Sequence, residues 1–156
     1  MDISVFYAVT SATCFALVGL WWSVAKDKAE WRTDEAQRRL AGGVYASFLI
    51  PGVMSLAAQI GADSPLIWRG VFVIAAGAGF FYSSRLINVT REANSNGAFS
   101  RNYWIVPSLY GLVLFFAVFS GLARRIGLHA LQLEALLLSG LILCAHALAW
   151  EFSMSA

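Results

Sequence analysis

Residues Leu128 to Phe152 read LHALQLEALLLSGLILCAHALAWEF, a mostly apolar run of 25 residues. At a rise of ~1.5 Å per residue a helix of that length crosses a ~30 Å hydrocarbon layer with some tilt. The run also carries Gln132, Glu134, Ser139 and His146. A helix facing only lipid has no use for such groups, because polar atoms in hydrocarbon cost free energy unless they are partnered. Gln132, Ser139, His146 and Ser153 recur every seven residues. At ~100° per residue they drift by only ~20° per step and form one stripe. The expectation is that this stripe turns toward protein or a water-filled cavity. Glu134 falls on a different face, among Leu138, Leu141 and Leu148.

The rest of the chain belongs to the same class. Of 156 residues, 59% are hydrophobic and 13% charged, against ~25% charged in a soluble domain. The reading is an all-α integral membrane protein, a single transmembrane domain over 1–156. Its five spans are placed at about 3–25, 42–60, 66–87, 103–123 and 128–152. The first is taken as a retained span, since it lacks a basic n-region and a small-residue cleavage site. The short connection between spans four and five predicts a tight antiparallel hairpin. A net charge of +2 gives no argument for nucleic acid. Cys14 and Cys144 stand alone in apolar segments and read as small buried hydrophobes. No metal or other cofactor is expected, and His129 and His146, ~25 Å apart on one helix, cannot share a centre within one chain.

Orientation follows from the basic residues. With the N-terminus outside, Lys26, Lys28, Arg32, Arg38, Arg39, Arg85, Arg91 and Arg101 fall inside and Arg69, Arg124 and Arg125 outside. Eight against three is a positive-inside signal. It predicts N-out, C-in, in a cell inner (plasma) membrane.

Local chemistry sharpens several positions. In the charged segment 26–41, Thr33 is expected to cap a helix, with Asp34–Arg38 and Glu35–Arg39 pairs at favourable i,i+4 spacing. The helix is expected to run into span two, with Gly42-Gly43 as an interruption. The segment reads as a solvated face and as a docking place for a partner membrane protein. Trp21 and Trp22 are expected in an interfacial belt. Pro51 removes a backbone bond and is a candidate kink or gate. Gly43/Ser47/Ser55 and Ala75/Gly79/Ser83 offer small-residue ridges for close helix approach, which predicts self-association. Asn88 to Asn102 is read as a polar loop with Asn96-Gly97 as its turn.

The candidate ligand or ion pathway has two parts. Glu134, Arg69, Gln59 and Gln132 share the outer half, where Glu134 and Arg69 form a pair, reach water separately, or handle a proton or solute. Deeper in, His146 and Ser139 lie on the stripe, with Tyr110 expected to hydrogen-bond His146. Arg124 and Arg125 are assigned to lipid headgroups. The sequence favours a small homo-oligomeric channel or carrier for an ion or small solute. An accessory or scaffolding membrane subunit is the alternative and an intramembrane enzyme the third, because no nucleophile–base signature is assembled.

Overall fold

The computed structural model describes residues 2–28, 30–61, 64–92, 104–125 and 129–155. Those residues are all-helical: α1 (Ile3–Asp27), α2 (Glu30–Thr33), α3 (Glu35–Ile60), α4 (Pro65–Glu92), α5 (Ile105–Val118), α6 (Ser120–Arg125) and α7 (Ala130–Ser155). Four of them, α1, α3, α4 over Pro65–Arg85, and α7, are long and apolar enough to cross a membrane. The remaining apolar helix, α5, has 14 residues, or ~21 Å at helical rise. It stops at Phe119, whose φ of −100° and ψ of 46° leave the helical region, and α6 resumes at Ser120. The fourth expected span is therefore a short helix followed by a stub. Seen locally, Pro107 sits in the first turn of α5, where a missing amide costs no helical bond.

The long helices alternate in direction. The Tyr7 hydroxyl donates to the Leu131 carbonyl at 2.7 Å, which puts the starts of α1 and α7 together. Trp21 Nε1 donates to the Ala41 carbonyl at 3.0 Å, which puts the end of α1 beside the start of α3. Helix α3 packs on α1, α4 and α7, and α5 bridges α4 and α7. Ser120 lies against the start of α7 and Leu109 against Gly140 further along. The α5–α6 leg thus runs antiparallel to α7 and packs on it.

Two clusters fill the interior. One surrounds Phe72, Met54, Leu138, Val113 and Tyr110 in the middle of the array. The other joins Trp21, Trp31, Val44, Phe48, Ala145 and Phe152 at the end where α1 finishes. Small residues set the closest approaches. At Gly79 an added Cβ would run into the ring of Tyr110, and at Gly52 it would meet the Cβ of Cys14 at 3.0 Å. The Ala75/Gly79/Ser83 ridge, expected to serve self-association, is thus spent at Gly79 on packing α5 within the chain. Close backbone approach needs one small partner, and here it is used internally.

Several local expectations change. Asp34, not Thr33, caps α3: its Oδ1 accepts from Ala36 N at 2.7 Å and Gln37 N at 3.2 Å. Thr33 instead ends α2. With its carboxylate committed to the cap, Asp34 makes no pair with Arg38, while the Glu35–Arg39 pair forms on the exposed surface. Gly42-Gly43 do not interrupt α3, which is continuous through both and through Pro51; neighbouring helix carries the residues past a weak pair. Trp21 is buried within the protein, stacked on Trp31 at 5.5 Å, whereas Trp22 is exposed. Helix α4 continues to Glu92, past the expected loop start at Asn88. Asn96-Gly97 lies outside the described residues.

Candidate functional site

Helix α7 turns a different face inward from the one its polar stripe suggested. Glu134, Ala135, Leu138, Leu141, Ala145 and Phe152 are buried, whereas Gln132, His146 and Ser153 are exposed and Ser139 is half-buried. The polar residues can afford this because they satisfy themselves. Ser139 donates to the Ala135 carbonyl at 2.9 Å and Ser153 to the Ala149 carbonyl at 2.7 Å. His146 Nδ1 lies 2.8 Å from the Ile142 carbonyl. Gln132 Oε1 accepts from the His129 amide at 3.1 Å, which covers an otherwise unused donor at the start of α7. Such i−4 bonds remove the penalty of facing away from protein, and the broader apolar face wins the interior.

Glu134 goes inward with that apolar face. It is 0% exposed, and neither carboxyl oxygen has a hydrogen-bond partner among the described residues. Of the alternatives open to Glu134 and Arg69, the ion pair is not formed, and the carboxyl does not reach the surface either. A buried carboxyl without a partner costs free energy that packing alone does not return. Among the described residues Glu134 is the one carboxyl that is buried with neither oxygen hydrogen-bonded.

One helical turn above it lies a cleft of about 470 Å³ at the end where α1, α4 and α7 begin. Its wall is Ile3 from α1, Trp68 and Arg69 from α4, Ser120 from α6, and His129 and Gln132 at the start of α7. Ala130 and Leu131 complete it. They precede Glu134 by four and three residues, so Glu134 sits ~5 Å further along the same side of the helix. The Arg69 guanidinium rests 5.5 Å from the Trp68 ring. Its Nε is buried without a hydrogen-bond partner, and no described carboxylate pairs with it.

The outer group of predicted residues is thus partly assembled. Arg69 and Gln132 line the cleft, Glu134 lies beneath it, and Gln59 does not line it; its Nε2 donates to the Ser55 carbonyl at 3.4 Å. The deeper group is not assembled. Tyr110 is buried against Gly79 on α4, and His146 makes its contacts on another side, edge-on to Phe48 at 5.2 Å. Helix α5 presents Tyr110 to α4 because only a glycine there leaves room for the ring. Pro51 is buried in the wall of α3 beside Gly52, Met54 and Ser55. The side chains of Arg124 and Arg125 lie outside the described residues.

Tyr7, Ser120 and His129 belong to this end of the molecule and did not stand out in the sequence. For Tyr7 the available signal was a hydroxyl one to two turns inside a span. For His129 it was a titratable residue at a helix start. No group of three or more potential metal ligands forms among the described residues. Comparison with protein-family models, with curated proteins and with solved structures returns no match.

Proposed function

We propose that the protein is a small polytopic membrane transport protein, a homo-oligomeric channel or carrier for an ion or small solute, with Glu134 as the group that takes up and releases a proton or ion. One observation carries this reading: an unpartnered, fully buried carboxyl stands one helical turn beneath a cleft that bears an unpaired arginine. Further along α7 from Glu134 the interior is filled by the cluster that holds Leu138, Leu141, Phe72 and Val113. Passage through one protomer requires these helices to shift, which favours a carrier over an open pore within the protomer. In this reading α5 and α6 together make the fourth of five crossings, the bilayer is an inner membrane, and the N-terminus lies outside. The eight-to-three basic asymmetry supports that orientation. Exposure of Gln132, His146 and Ser153 on one side of α7 supports a second copy packed there.

The test is flux in liposomes. Replacing Glu134 by Gln keeps the volume and removes the charge, so proton-coupled uptake is expected to fall to background while the protein stays folded. Unchanged uptake in that variant removes Glu134 from the mechanism. A phosphatase fused to the C-terminus is expected to be inactive, and activity there overturns the orientation.

A second reading, the accessory subunit, draws on segment 26–41. Lys26, Asp27, Lys28 and the Glu35–Arg39 pair are exposed on one end of the array, where a partner membrane protein would dock. Co-purification of a stoichiometric second chain with an otherwise monomeric protein decides for it.

A further inference from the structure

Among the described residues, Arg69 and His129 supply basic groups to the cleft between α1, α4, α6 and α7, Gln132 and Ser120 supply neutral polar ones, and none is acidic. Its volume of about 470 Å³ lies within the ~300–1,000 Å³ of small-molecule sites. Apolar Ile3 and Trp68 form the remaining wall, which is the usual composition of such sites.

Arginine in this setting is unusual. Its fork of donors matches the two oxygens of a carboxylate or phosphate. The Trp68 ring 5.5 Å away holds the guanidinium from one side. Nε is shut away from solvent with no acceptor, so a ligand in the cleft meets the terminal nitrogens of the fork, and no described carboxylate neutralises the guanidinium. Helix α7 contributes independently. It is a 26-residue helix whose first residues, Ala130 and Leu131, border the cleft. Free amides and the positive end of the helix dipole therefore lie against the same space as Arg69.

We propose that this cleft binds a small oxyanion-bearing molecule, whose phosphate or carboxylate group is held by the Arg69 guanidinium with His129, Gln132 and the start of α7 around it. The inference rests on the transport reading only for its consequence, which is that the carried solute is an anion accompanied by a proton at Glu134. Two sources supply this chemistry, a free anion from water or the headgroup of an anionic lipid. The binding itself is measured at equilibrium, without transport, so it fails or stands separately from the flux test.

The experiment uses the full chain in detergent, titrated calorimetrically with inorganic phosphate against a chloride background. Saturable binding is expected for the wild type and for Arg85→Gln, which alters a cation far along α4 from the cleft. Arg69→Gln is expected to bind roughly tenfold more weakly or worse, and Arg69→Lys, which keeps the charge but not the fork, to fall between. Arg69→Lys also guards against misfolding of the neutral variant. In nanodiscs of phosphatidylcholine alone, undiminished phosphate binding identifies a free anion as the ligand. Loss of phosphate binding on adding phosphatidylglycerol, restored by removing that lipid, identifies the headgroup. Absence of saturable phosphate binding together with no enrichment of phosphatidylglycerol over phosphatidylcholine overturns the proposal. Equal affinity in wild type and both Arg69 variants overturns it as well.

Discussion

At one end of the array Trp21, Trp31 and Phe152 close the space between α1, α2 and α7, with ring centroids 4.6 to 6.0 Å apart. At the other end Arg69, Gln132 and His129 surround a cleft, and Glu134 lies unpartnered just beneath it. The first end spends its residues on burial. Trp31, set in the most charged stretch of the chain, is only 3% exposed, and its ring fastens the four-residue α2 to the helices beside it. The second end holds groups that packing alone does not justify. Each end holds a buried polar atom without a partner, Trp31 Nε1 at the first and the Glu134 carboxyl at the second. A carboxyl, however, loses far more on burial than an indole N–H, and costs of that size collect where function requires them.

The largest expected effect lies at the aromatic end. Trp31→Ala removes a ring packed on two others, and truncations of this kind cost ~3–5 kcal/mol in soluble cores. A comparable fall in unfolding free energy is expected from denaturation in mixed micelles, with uptake lost only in proportion to the unfolded fraction. A loss below ~1 kcal/mol would show that α2 is not fastened by this ring, and the contrast between the ends would weaken.

Glu134→Met is the counterpart at the cleft end, and its sign is opposite. A side chain of similar volume without buried, unpaired oxygens is expected to raise stability by ~1–3 kcal/mol, while uptake disappears. Because Glu134 and Arg69 form no ion pair, Glu134→Met and Arg69→Gln should combine additively, to within ~0.5 kcal/mol. A coupling clearly larger than that would mean the two charges act on each other, and the two ends would differ less than described. Destabilisation by Glu134→Met alone would remove the argument that this carboxyl is a cost.

Smaller effects come from the surface of α3. Asp34→Ala deletes a cap that accepts from two amides and is expected to cost ~1 kcal/mol. Arg39→Gln breaks a solvent-exposed pair and should change stability by less than ~0.5 kcal/mol. Thermal unfolding of the two variants side by side checks the order. A larger loss for Arg39→Gln would give segment 26–41 a role beyond a solvated face.

What the sequence determined by itself was the class and the local chemistry. Long apolar runs have no stable place in water, and a helix satisfies its own backbone, so span-length helices could be read directly from residues 3–25, 42–60, 66–87 and 128–152. The Glu35–Arg39 pair was legible because four residues along a helix are neighbours whatever else the chain does. Glu134 stood out for a similar reason, since a carboxyl inside an apolar run is anomalous in any fold. Only the tertiary structure decided which face of α7 turned inward. A polar stripe does not need protein when Ser139, His146 and Ser153 each reach the carbonyl four residues back, and no pattern of spacing shows that they do. The structure also decided that Trp31 is buried, that Tyr110 packs on Gly79 rather than joining His146, and that Arg69 lines a cleft without meeting Glu134. Each of these depends on which helices become neighbours, and that is settled by the fit of side chains distant in sequence.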